Sequence, residues 1–94
     1  MAQFTVRMVL HGASRSDYET LHENMTTRGF TDEIRDSSTG TLCKMPDGEY
    51  DYQGNLTPEE VRGKAARAAE ATGRQYAVFV TQSAGRVWVG LKKA

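Results

Sequence analysis

Residues 48–61, "GEYDYQGNLTPEEV", run from a strand straight into a helix, and the reading of that junction decides the fold. In "EYDY" acidic and aromatic side chains alternate, which is the period of a β-strand, so Tyr50 and Tyr52 share one face and Glu49 and Asp51 the other. "TPEE" then carries the chemistry of a helix start. Thr57 is the N-cap, Pro58 takes the first helical position, where its missing N–H costs nothing, and Glu60 closes a capping box. Val61, Ala65, Ala68 and Ala69 form a thin apolar stripe, so this helix should sit close to the sheet it covers. Gly73 ends it, and "YAVFVTQ" from Tyr76 is the most strand-like run in the chain. The unit is strand, helix, strand.

The N-terminal part repeats the strand and helix. Phe4, Val6, Met8 and Leu10 fall on one face of a strand and Thr5, Arg7, Val9 and His11 on the other. "HGAS" breaks it, and "SRSDYETLHENMTTRG" reads as a helix with Ser16 and Glu19 spaced as a capping box, Tyr18, Leu21 and Met25 on its apolar side, and Gly29 as its stop. Between the halves, "FTDEIRD" and "TLCKM" are short extended pieces separated by the turns "SSTG" and "PDG", so residues 30–53 form a hairpin or a three-stranded meander. After the "SAG" turn, "RVWVGLKK" predicts a last strand, with Arg86 and Trp88 on one face and Val87, Val89 and Leu91 on the other. The order predicts an α+β, ferredoxin-like βαββαβ sandwich. An antiparallel sheet carries two helices on one face and gains an extra C-terminal strand.

Ninety-four residues, 38% hydrophobic, make one domain, residues 1–94, with a single modest core. No apolar run is long enough to span a bilayer, and "MAQFTVRMVLHG" lacks the pattern of a signal peptide, so a cytoplasmic protein that does not engage a membrane is expected. The single cysteine, Cys43, cannot make an internal disulfide, and His11, His22 and Cys43 lack the spacing of a zinc site, so neither a metal nor another cofactor is expected. Net charge is zero, which argues against a strongly steered nucleic-acid binder, and no DNA specificity is predicted. The charge is nonetheless uneven. Residues 1–56 hold five basic against nine acidic side chains, and residues 57–94 hold seven against three, a balance of minus four against plus four.

With Phe4, Val6, Met8 and Leu10 toward the helices, Arg7, Val9, His11, Ala77 and Phe79 fall on the open side of the sheet. A mixed apolar and cationic surface suits either single-stranded RNA stacked on an aromatic or a second copy in a homodimer. Only Phe79 is a securely placed aromatic there, which favours the homodimer as the cover for this face. Tyr50 and Tyr52 join Phe79 and Arg7 if they lie on the open face, and are core with their hydroxyls at the rim if they lie under the helices. No nucleophile elbow, phosphate loop, metal cluster or triad is present. His11 and His22 are the side chains suited to proton transfer near neutrality, and metal-free RNA cleavage needs a base, an acid and a cation.

The run "GFTDEIRDSSTGTLCKMPDGEYDYQGNLTPEEV", with "FTVRMVLHG" before it and "YAVFVTQ" after it, resembles the GhoS family of small type V antitoxins over residues 4–82. That resemblance rests on element order and hydrophobic pattern. It implies a ferredoxin-like fold and a sequence-selective endoribonuclease, or an RNA-binding regulator, that silences the messenger of a small membrane toxin. CRISPR-associated nucleases of similar fold end their first strand in a metal-binding aspartate, and His11 stands at that position here. On this reading His11 and His22 are the candidate acid and base, and Arg7, Arg74, Arg86, Phe79, Tyr50 and Tyr52 the candidate RNA contacts. The reading set against it is a non-enzymatic homodimeric interaction module, pairing open faces or last strands.

Overall fold

A computed structural model describes residues 1–94 as an α+β sandwich. The elements are β1 (Ala2–Leu10), α1 (Arg15–Thr27), β2 (Glu33–Arg35), β3 (Leu42–Lys44), β4 (Glu49–Gly54), α2 (Pro58–Glu70) and β5 (Tyr76–Gln82). The main sheet has the order β4-β1-β5, all antiparallel, and β2 and β3 form a separate two-stranded sheet. A bridge between Thr31 and Asp51 ties the start of the β2 segment to β4, so the sequence of neighbours continues outward from β4 as in a ferredoxin-like sheet.

Both helices lie on one face. Phe4, Val6, Met8 and Leu10 project to that side and pack with Leu21 and Met25 of α1 and with Val61, Ala65, Ala68 and Ala69 of α2. The alanine stripe is fully buried, as its small side chains require when a helix lies tight on a sheet. The start of α2 has the predicted capping box between Thr57 and Glu60. At α1 the box forms two residues earlier than expected, between Ser14 and Asp17, because Ser14 is the residue in the extended conformation that a cap needs. The middle segment is a true hairpin over "SSTG" followed by a return to the main sheet. The "PDG" turn leads from β3 to β4 without pairing them. Gly48, in that turn, has φ +81°, and a Cβ there would lie 2.9 Å from the Met8 carbonyl oxygen, so only glycine fits.

The chain end differs from the expected last strand. Residues 83–94 leave β5 and cross the side of the sheet opposite the helices, touching β3 through a single antiparallel bridge between Cys43 and Lys93. Ser83 N–H donates to the Gln3 carbonyl at the start of this strap, and Lys44 N–H donates to the Lys92 carbonyl at its end. Gly90, with φ +82°, interrupts the alternation, so Leu91 returns to the side of Trp88, and both pack on Ile34, Cys43 and Met45. Val87 and Val89 are left almost wholly exposed.

Candidate functional site

The register of β1 with β4 decides the position of the tyrosines. Tyr50 pairs with Val6 and Tyr52 with Phe4, so both project under the helices. Tyr52 packs against Phe4 and Phe30, with ring centroids 6.3 and 5.0 Å away, and the Lys64 ammonium lies 5.4 Å from its centroid. It is a partly buried aromatic packed against the core, with a cation over its ring. Of the two arrangements open from sequence, the one that joined the tyrosines to Phe79 on the outer face is thereby excluded.

Tyr50 has a different use. Its hydroxyl lies 3.2 Å from Nδ1 of His22, which projects from α1, and the same nitrogen is 4.0 Å from Asp32 Oδ2. Lys44 Nζ lies 3.1 Å from that carboxylate oxygen. The imidazole is about half exposed, whereas Tyr50 is buried. Burial, and then the charge of Asp32, push the phenol up to about 12, so it stays neutral at physiological pH.

Tyr50, Asp32 and Lys44 line a cleft of about 940 Å³ that also includes Arg7, Glu49, Gly48 and, from the strap, Leu91 and Lys92. Arg7 is paired with Glu49 at 3.3 Å, across the strands where the register puts them opposite. Lys44 is paired with Asp32.

The other predicted contacts lie apart from this cleft. His11 is exposed at the end of β1, and its backbone N–H donates to the Gln75 carbonyl. Tyr18, one turn before His22, does line the cleft, and its hydroxyl is docked on the backbone of Leu10. The two histidines therefore hold different partners. Arg74 is bound to Asp17 at 2.8 Å, and together with the Ser14 backbone N–H, the larger influence, it holds that carboxyl below its usual range. Arg86 lies 2.8 Å from Asp51, the single buried charged residue, and also bonds Thr5. Phe79 stands out on the outer face, opposite Arg7, 69% exposed. No group of three or more His, Cys, Asp and Glu side chains is arranged to hold a metal ion.

Asp32, Lys44 and Lys92 were not singled out from sequence. They come from a loop, a strand and the strap, and only the pairing of β2 with β3, which sets Glu33 against Lys44, brings the first two together. No known family profile and no curated protein matches the chain.

Proposed function

We propose that the protein binds single-stranded RNA in the cleft beside His22 and cleaves it there as an endoribonuclease. The observation that carries this reading is one half-exposed imidazole, hydrogen-bonded to the buried Tyr50 hydroxyl with Asp32 4.0 Å away, beside a cleft edged by Arg7, Lys44 and Lys92. His22 takes the proton of the ribose 2′-hydroxyl. The 2′-oxygen attacks phosphorus, the bond to the 5′-oxygen breaks, a 2′,3′-cyclic phosphate forms, and the departing oxygen takes a proton from water to leave as a 5′-hydroxyl. Basic side chains stabilise the charge that gathers on the phosphate oxygens. The resemblance to the GhoS antitoxins supports the same reading and supplies a biological role, the silencing of a toxin messenger in the cytoplasm.

The test is incubation with a mixed pool of short RNAs, with and without chelator, beside His22→Ala and His11→Ala. Cleavage at preferred sites that survives chelation and is lost in His22→Ala is expected. Protein that neither cuts nor shifts RNA at low salt, where phosphate contacts are strongest, would refute the reading.

A second reading, a non-enzymatic homodimer, is favoured by the exposure of Phe79, Val87 and Val89 on a chain of zero net charge. Sedimentation as a monomer at high concentration would count against it.

A further inference from the structure

The strap contributes to the cleft something the rest of the fold does not. Three basic side chains line it: Arg7, Lys44 and Lys92. Arg7 is engaged by Glu49 at 3.3 Å, and Lys44 by Asp32 at 3.1 Å and Glu33 at 4.0 Å. Lys92 has no carboxylate within ion-pair distance and makes no side-chain hydrogen bond, so its ammonium alone is free to meet an anion without first breaking a pair. Without it the cleft has two cations, Arg7 and Lys44, against three carboxylates, Asp32, Asp47 and Glu49.

Lys92 is held in place by the bond from Lys44 N–H to its own carbonyl and by contacts made elsewhere on the strap. Residues 84–91 form no backbone hydrogen bond to the rest of the backbone. The segment is instead pinned by Arg86 on Asp51 and Thr5, by Trp88 and Leu91 on Ile34, Cys43 and Met45, and by the bonds of Lys92 and Ala94 to β3. A segment held mainly by side chains lies at the low end of local stability, so its anchors determine how often Lys92 is in position.

We propose that Lys92 is the principal phosphate contact of the cleft and that Arg86 is a positioning residue, which acts by docking the strap on Asp51 and not by touching RNA. The proposal rests on the reading of the cleft as an RNA site and adds to it a binding residue outside residues 4–82, the span of the family resemblance.

Lys93 supplies the control. It is the next residue on the same strap and carries the same charge, but does not line the cleft. Binding of a short fluorescent single-stranded RNA is measured as a function of salt for the parent protein, Lys92→Ala, Lys92→Arg, Lys93→Ala, Arg86→Ala and the Arg86→Ala, Lys92→Ala double variant. Lys92→Ala should weaken binding about tenfold at low salt and flatten the salt slope by about 0.7, the loss of one phosphate contact on a single strand. Lys92→Arg should restore affinity, and Lys93→Ala should change it by less than about twofold at physiological salt, where a charge outside the cleft is screened. Arg86→Ala should lose as much as Lys92→Ala, the double variant should lose no more, and the fluorescence of Trp88, the one tryptophan, should shift to the red as the strap lifts.

Equal effects of Lys92→Ala and Lys93→Ala, or none from either, would overturn the assignment of Lys92 while leaving RNA binding in place. Additive losses in the double variant, with Trp88 emission unchanged, would overturn the positioning role. Absence of RNA binding by the parent protein would overturn the cleft reading and this proposal with it.

Discussion

Asp51 shows how one residue's position follows from a strand's register. Alternation in "EYDY" already placed Asp51 opposite the tyrosines, but only the pairing of Tyr50 with Val6 shows that the tyrosines go under the helices and Asp51 to the outer face. A carboxylate there would be solvated on a bare sheet. Here it is 5% exposed, because the strap lies over it and Arg86 answers its charge at 2.8 Å, with Gln53 adding a longer bond at 3.4 Å. Arg86→Ala should therefore destabilise the fold by about 2 kcal/mol. That is less than the loss of one partner from a fully enclosed pair, because a lifted strap lets water reach the remaining carboxylate. Urea unfolding checks this, and an unchanged midpoint would mean that the pair contributes nothing to stability. Arg86 was expected among the RNA contacts, since sequence shows an arginine's charge and not the carboxylate that a chain end carries it to. The pairing of Arg74 with Asp17, 57 positions apart, was hidden for the same reason.

At the scale of elements, most of the fold was legible. Two helices, the first and last strands of the main sheet and the capping chemistry of α2 follow from periodicity and from "TPEE", because each signal is local. The alanine stripe of α2 carries a sharper consequence. Ala68 is fully buried where the helix meets the sheet, so Ala68→Leu should cost about 1–3 kcal/mol by overpacking, measurable as a lower thermal midpoint.

At the start of α1, the Ser14 backbone N–H, followed by the Arg74 and Ser14 side chains, holds the Asp17 carboxyl below its ordinary value of 3.8. A depressed acid stabilises the folded state above its unfolded pKa and ceases to do so as pH falls through the lower folded value. Helicity followed by circular dichroism should accordingly drop below about pH 4, and Asp17→Asn should remove part of that drop. A pH profile identical in the variant would show that the box does not contribute to acid stability. The expected last strand was the main departure. "RVWVGLKK" has the composition of a strand, but Gly90 interrupts its alternation, and its backbone pairs with β3 only at its far end.

At the scale of the whole molecule, the uneven charge acquires a structural meaning. The acidic first half supplies Asp32, Asp47, Glu49 and Asp51 around the edge of β4, and the basic second half returns through the strap to pair Arg86 with Asp51 and to bring Lys92 to the cleft that the other three line. Sequence alone gave the imbalance and the two histidines. Which histidine acquires a chemical setting depended on long-range packing, and it is His22, with Tyr50 and Asp32, that lies beside the cleft.

RNA is proposed to enter that cleft. Amide chemical shifts of the isotope-labelled protein, titrated with a short mixed-sequence single-stranded RNA at low salt, test it directly. Shifts concentrated at His22, Asp32, Lys44, Gly48 to Tyr50 and Lys92 are the predicted result. An unchanged spectrum, or shifts confined to Phe79, Val87 and Val89, would contradict it.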